Sequence, residues 1–187
     1  MDPSQFMNWK DYEKVRMERY KQIAEIKRDR RFELGKRLTL LFENKETVIH
    51  QIQEMIYLDK LEKEDDIKRE IELYSTMIPC NNLIKATLFI NAWNEADLKE
   101  VFRTLRGIYN SIFLKIGDKL IQGVPEKGRE QGEEFSTVQY LFFDISSASP
   151  STAKILVLHE NYREEANIPD PLLKLLFKEA SIDCKKI

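Results

Sequence analysis

The chain has 187 residues, 42% of them apolar and 33% charged, with 30 Lys and Arg against 32 Asp and Glu, two Cys and two His. That length supports one domain with its own core, and a net charge of −2 gives no overall drive toward DNA or anionic membranes. Cys80 and Cys184 have no second cysteine nearby, which excludes paired-Cys zinc, redox and iron–sulfur motifs.

A disulfide scaffold is not expected at this size, so the cysteine usage reads as a reducing compartment. The first residues show neither the basic nor the apolar region of a signal peptide. No apolar run approaches the ~18 residues that cross a bilayer. The expectation is a cytoplasmic protein without membrane contact.

In chain order, Trp9, Tyr12, Val15, Tyr20, Ile23 and Ile26 recur at helical spacing from Asn8 to Arg31, with Asn8 as the cap. Gly35 ends this arm, and the run Lys27-Arg28-Asp29-Arg30-Arg31 reads as a solvated, dipole-favoured helix end. Leu38–Glu43 reads as a short buried strand. Asn44 caps a second helix from Lys45 to about Lys60, with Val48, Ile49, Ile52, Met55 and Ile56 as its apolar face. A third helix follows from about Glu64 to Met77 and ends at Pro79.

Strands are expected at Leu83–Ala92, Tyr109–Ile116, Lys119–Gln122, Thr137–Ile145 and Lys154–His159. Helices are expected after the caps Asn94 and Asp170, the latter with Pro171 at its first position. The strands of the second half follow one another without crossover helices. The whole chain, 1–187, is therefore expected to be a single α+β domain of about five mostly antiparallel strands with packed helices. Residues 1–36 form an N-terminal helical arm in this reading, and 124–136 a mobile loop rich in Gly, Lys, Arg and Glu.

Candidate chemistry concentrates on the second helix. Glu46, Gln53, Glu54 and Tyr57 fall on the same side as His50, opposite the Ile52 face, and Glu46–His50 and His50–Glu54 are i,i+4 pairs. The plain expectation is a solvent-facing polar stripe; the chemical one is a shared proton or metal, with Glu54 as base or ligand. The second imidazole, His159, ends a strand in His-Glu-Asn-Tyr-Arg-Glu-Glu, where Tyr162 and Glu165 accompany it. No phosphate loop, dinucleotide fingerprint or nucleophile elbow is present. Cys80, in a Cys-Asn-Asn turn, has no local base to activate it. Nucleic-acid binding is not expected, since only Tyr20, Lys27, Arg28, Arg30, Arg31 and Phe32 approach a basic face with aromatics.

The segment Leu-Thr-Leu-Leu-Phe-Glu-Asn-Lys-Glu-Thr-Val-Ile-His-Gln-Ile-Gln-Glu-Met, residues 38–55, resembles the bacterial domain of unknown function family 3501. Leu73-Tyr74, Ile78-Pro79, Leu83…Ala86-Thr87-Leu88, Val138…Leu141…Phe143 and His159…Tyr162-Arg163…Glu165…Pro169 extend the resemblance over most of the chain. It implies no established activity or cofactor. Its members' genes often stand beside those for rubrerythrin and a heterodisulfide-reductase-like iron–sulfur protein, which implies an accessory, interaction role in oxidative-stress defence. The family pattern usually has Tyr at position 50, and it keeps Glu43, Asn44, Gln51, Gln53, Glu54, His159, Tyr162 and Glu165 as binding candidates. The alternative expectation is a metal-dependent or small-molecule-binding enzyme. Its site would be built from Glu43, Gln51, Glu54 and His159, with Glu54 and His159 as the metal candidates and Tyr162 orienting the substrate.

Overall fold

The computed structural model describes residues 1–131 and 134–186. The elements run α1 (Trp9–Arg28), β1 (Arg31–Leu34), β2 (Leu38–Phe42), α2 (Lys45–Leu58), α3 (Glu64–Ser75), β3 (Leu83–Ile90) and α4 (Glu95–Thr104). They continue through β4 (Ile112–Ile116), β5 (Lys119–Gln122), β6 (Val124–Pro125), β7 (Glu130–Gln131), β8 (Glu134–Phe135), β9 (Val138–Asp144), β10 (Ala153–His159), β11 (Tyr162–Ile168) and α5 (Asp170–Ala180).

The fold is α+β, as the strand and helix order implies. The strands divide between two sheets, ordered β1-β2-β3-β9-β6 and β11-β10-β4-β5, with β7 and β8 as a separate short pair, and every pairing is antiparallel. Period-two alternation sends Leu40, Phe42, Ala86, Leu88, Leu141 and Phe143 to one face of the first sheet. There they share a core with Ile112, Leu114, Ile155 and Val157 of the second, closed by Val101 of α4, Leu105 just beyond it, and Leu172, Leu173 and Leu176 of α5. A smaller cluster lies on the opposite face of the first sheet. Val48, Ile52, Ile56 and Ile71 from α2 and α3 pack there with Met77 and Ile78, against Tyr140 and Phe142.

Local chemistry accounts for the helix starts. Asn8, Asn44 and Asn94 each accept a backbone N–H three residues on, at Asp11, Thr47 and Asp97. Asp170 is the first residue of α5 rather than its cap, and Pro169 precedes it without a side-chain cap.

Four expectations change. The N-terminal arm is helical only to Arg28, and its end is β1, a hairpin with β2. Gly35 is thus a turn residue at φ +67°, where an added Cβ would strike Glu164 and Tyr162. The segment 124–136 carries β6, β7 and β8, with residues 132 and 133 outside those described. Much of the polar stripe of α2 is covered rather than solvent-facing: His50, Gln53 and Glu54 are buried under α1 and the segment before it, while Glu46 stays exposed.

Cys80 is bonded to Cys184, so it is no free thiol and the two cysteines do not indicate a reducing compartment. Asn81 N–H donates to the Ile182 carbonyl and Asn82 N–H to that of Ala180, bringing the end of α5 back to the Cys80 turn. A separation of 104 residues hid this from the sequence.

Candidate functional site

The seam between α1 and α2 contains the first polar cluster. Glu54 is only 4% exposed. Its Oε1 accepts from the Tyr12 hydroxyl at 2.8 Å, and its Oε2 from Tyr20 Oη at 3.0 Å and Arg16 Nη2 at 2.8 Å. Arg16 also lies over the rings of Tyr20 and Tyr57. Burial alone would raise the Glu54 carboxyl, but the bonds from Arg16, Tyr12 and Tyr20 outweigh it and hold the group below the usual carboxylate range. Burial and the same carboxylate push the Tyr12 phenol well above its ordinary value. Both carboxylate oxygens of Glu54 accept from α1 side chains, so this carboxylate clamps two helices together.

Its neighbours do similar work. The Gln53 amide donates to the Met7 carbonyl at 2.9 Å and accepts the Met7 N–H at 2.8 Å, tying the N-terminal segment to α2. His50 meets the Tyr20 ring edge to face, and burial depresses its basicity, helped by the Lys27 charge. Asn44 is the N-cap of α2. Arg30, from the basic run, is buried in a two-pronged pair with Glu179 of α5, at 3.0 and 2.5 Å.

The second cluster lines a cavity of about 330 Å³ on the outer face of the first sheet, beneath α2 and the end of α3. At its floor is Glu43, 9% exposed and next to the N-cap of α2. Its Oε1 accepts from Thr87 Oγ at 2.6 Å, and its Oε2 from the Thr47 hydroxyl. Among the described residues no cation lies within ion-pair distance of it.

The walls are Tyr74, Phe89 and Tyr140, with Gln51 approaching the Tyr74 phenol. Both phenols are raised by burial and stay protonated at neutral pH. Lys27 and Arg129 supply positive charge at the edge. Arg129 stacks 3.9 Å from the Tyr140 ring centre and pairs with Glu126 at 2.8 Å. A buried carboxylate that has no cation partner among the described residues, flanked by aromatic rings, can accept from an N–H or O–H donor.

The remaining candidates lie on the second sheet. His159 accepts the Asn161 N–H on Nδ1 at 3.2 Å, which leaves Nε2 to donate to the Arg106 carbonyl at 3.0 Å. Tyr162 Oη donates to the Leu34 carbonyl at 2.7 Å and accepts the Arg37 N–H at 3.0 Å, fixing the β1–β2 turn to β11. Glu165 is a surface partner of Lys154.

The structure thus brings Glu43 and Gln51 to one cavity. It gives Glu54 to α1, and His159 to the segment after α4. Among the described residues, no three His, Cys, Asp or Glu side chains are grouped to hold a metal ion. Thr87, Tyr140 and Arg129 are cavity residues that the sequence does not single out, and Lys27 enters only as part of the basic run. Thr87 leaves a signal in the sequence, a hydroxyl alternating with Lys85 on the outward side of an apolar strand.

A crystal structure of a novel protein of unknown function from Burkholderia pseudomallei K96243 superposes with a TM-score of 0.85 at 25% identity, covering 98% of this chain and 99% of that one. No curated protein gives a significant match. The family described as "Protein of unknown function (DUF3501)" matches residues 1–180, nearly the full length. The chain belongs to the DUF3501 family.

Proposed function

We propose that this protein binds a small molecule in the Glu43 cavity, and that the ligand presents an amine, guanidinium or similar cationic N–H group to the carboxylate. The observation that carries this reading is Glu43 itself, a buried acid held by two threonine hydroxyls and, among the described residues, without an ion-pair partner. Burial of an unpaired charge is costly unless a partner arrives, and a cationic ligand is such a partner. The cavity volume falls in the range of small-ligand sites, roughly 300–1,000 Å³. Tyr74, Phe89 and Tyr140 suit a flat apolar body, while Lys27 and Arg129 suit an anionic group at the ligand's other end.

A thermal-shift panel of alkylamines, arylalkylamines and guanidines, with the matching carboxylic acids as controls, tests this. A saturable rise in Tm with cationic members, lost in Glu43→Gln, is expected, because a ligand that binds only the folded state stabilises it. No response to any cation, or an equal response in Glu43→Gln, overturns it.

The resemblance supplies a second reading, an accessory role in a cytoplasmic rubrerythrin or iron–sulfur redox system. The buried part of the α2 polar face lies under α1 and offers no docking surface there, so this reading rests on the family's gene neighbours. Near-stoichiometric recovery of either partner from native lysate would support it, and recovery of neither would count against it.

A further inference from the structure

Lys85 lies on the outer face of β3, 6% exposed. Its Nζ donates to the Thr76 carbonyl at 2.7 Å, stands 3.6 Å from Cys80 Sγ and sits over the Phe142 ring at 5.9 Å. Burial depresses the ammonium, to about 8, and among the described residues no carboxylate lies within ion-pair distance to offset it.

The titratable groups on the elements around it are engaged elsewhere. Glu43 beyond the end of β2 holds two threonine hydroxyls, and Tyr74 and Tyr140 are protonated phenols. Asp144 on β9 accepts from Ser146, while Asp183, Lys185 and Lys186 belong to the exposed C-terminal turn. Lys85 is therefore a buried cation whose nearest potential anion is the sulfur of Cys80.

We propose that Cys80–Cys184 is a redox-active disulfide that exchanges with thiol reductants, with Cys80 leaving as a thiolate held by the Lys85 ammonium. The two sulfurs differ in the way exchange requires: Cys184 belongs to an exposed turn, whereas Cys80 is 3% exposed. A reductant thiolate attacks Cys184 Sγ, forming a mixed disulfide as the bond to Cys80 Sγ breaks and its electron pair stays on Cys80. The reductant's second thiolate then attacks the sulfur of the first, displacing Cys184, which takes a proton from water. Two electrons pass from a dithiol to the protein, and the dithiol becomes its own disulfide. A well-stabilised leaving thiolate speeds the first step, and a nearby cation is what lowers a thiol's pKa.

Two measurements test this. In Cys184→Ser, the rise of thiolate absorbance with pH should place Cys80 clearly below the ordinary thiol value of about 8.5. Lys85→Met should shift that midpoint upward by at least a unit, a tenfold change in acidity. A midpoint at or above the ordinary value with Lys85 present means that burial dominates, and overturns the proposal. Independently, dithiothreitol should reduce the wild-type bond under native conditions, scored by maleimide mass shift with an unchanged circular dichroism spectrum. A bond that resists dithiothreitol until the protein unfolds is only structural, and this outcome also overturns the proposal.

Discussion

The Arg16 guanidinium grips the Glu54 carboxylate from the side, with Nη2 2.8 Å from Oε2 and Nε 3.1 Å from Oε1. The pair joins α1 to α2, and the carboxylate is nearly inaccessible while the arginine side chain is 28% exposed. Removing one member of a buried pair strands the other, at a cost of about 3–5 kcal/mol when both are fully buried. Arg16→Leu should therefore lose about 2–3 kcal/mol in urea unfolding, discounted for the exposure of Arg16. Because the folded-state Glu54 pKa is depressed, its contribution is present above the unfolded value of about 4.3 and is lost as pH falls through the folded value. Glu54→Gln should flatten the stability profile below pH ~4.3 and leave its shape at neutral pH unchanged.

His50 titrates in a different window. Burial is the main cause of its lowered basicity, so the unfolded chain takes up the proton more readily than the folded one. Its contribution is present above the ordinary histidine pKa of about 6.5 and is lost as pH falls below that toward the folded value. The Tm difference between pH 7 and pH 5.5 should therefore narrow in His50→Gln. An unchanged difference would show that His50 is not the group responsible.

The floor of the cavity depends on hydroxyl donors. Thr87→Val conserves shape but removes the bond to Glu43 Oε1. A buried acceptor left unpaired costs about 1–3 kcal/mol. At roughly 2–4 °C per kcal/mol for a chain of this size, Tm should fall by several degrees. Adding Glu43→Gln should restore part of the loss, since an amide is easier to leave short of donors than a carboxylate. A double variant no better than Thr87→Val alone would argue that Thr87 matters for packing rather than for Glu43.

The sequence was most readable where period and cap agree. Asn44 and the Val48–Ile52–Ile56 stripe define α2, and Pro79 follows the end of α3 as helix chemistry requires. Strand β11 was hidden because Tyr-Arg-Glu-Glu-Ala-Asn-Ile is an edge strand with mostly exposed side chains, so it lacks an apolar alternation. Strand β1 was absorbed into the helix before it. Two features could not be read locally at all. The Glu54 partners lie 34 to 42 residues away on another helix, and the ligating face of Glu43 is completed by Thr87, 44 residues on. A wheel shows which residues share a side, but whether that side meets water or another helix is a tertiary fact.

His159 separates a structural histidine from a ligating one. Both ring nitrogens are committed, Nδ1 to the Asn161 N–H and Nε2 to the Arg106 carbonyl, so the ring links the β10–β11 turn to the segment after α4. Its Asn161 neighbour adds a parallel link by donating to the Thr104 carbonyl at 2.9 Å. His159→Ala would remove both bonds of this part-buried link, at about 0.5–1.5 kcal/mol each, and Tm should fall accordingly. Amine binding in the Glu43 cavity and the metal content of protein purified without chelator should both match wild type. Loss of a bound metal on this substitution would instead place His159 in a coordination sphere and contradict the hydrogen-bonded role.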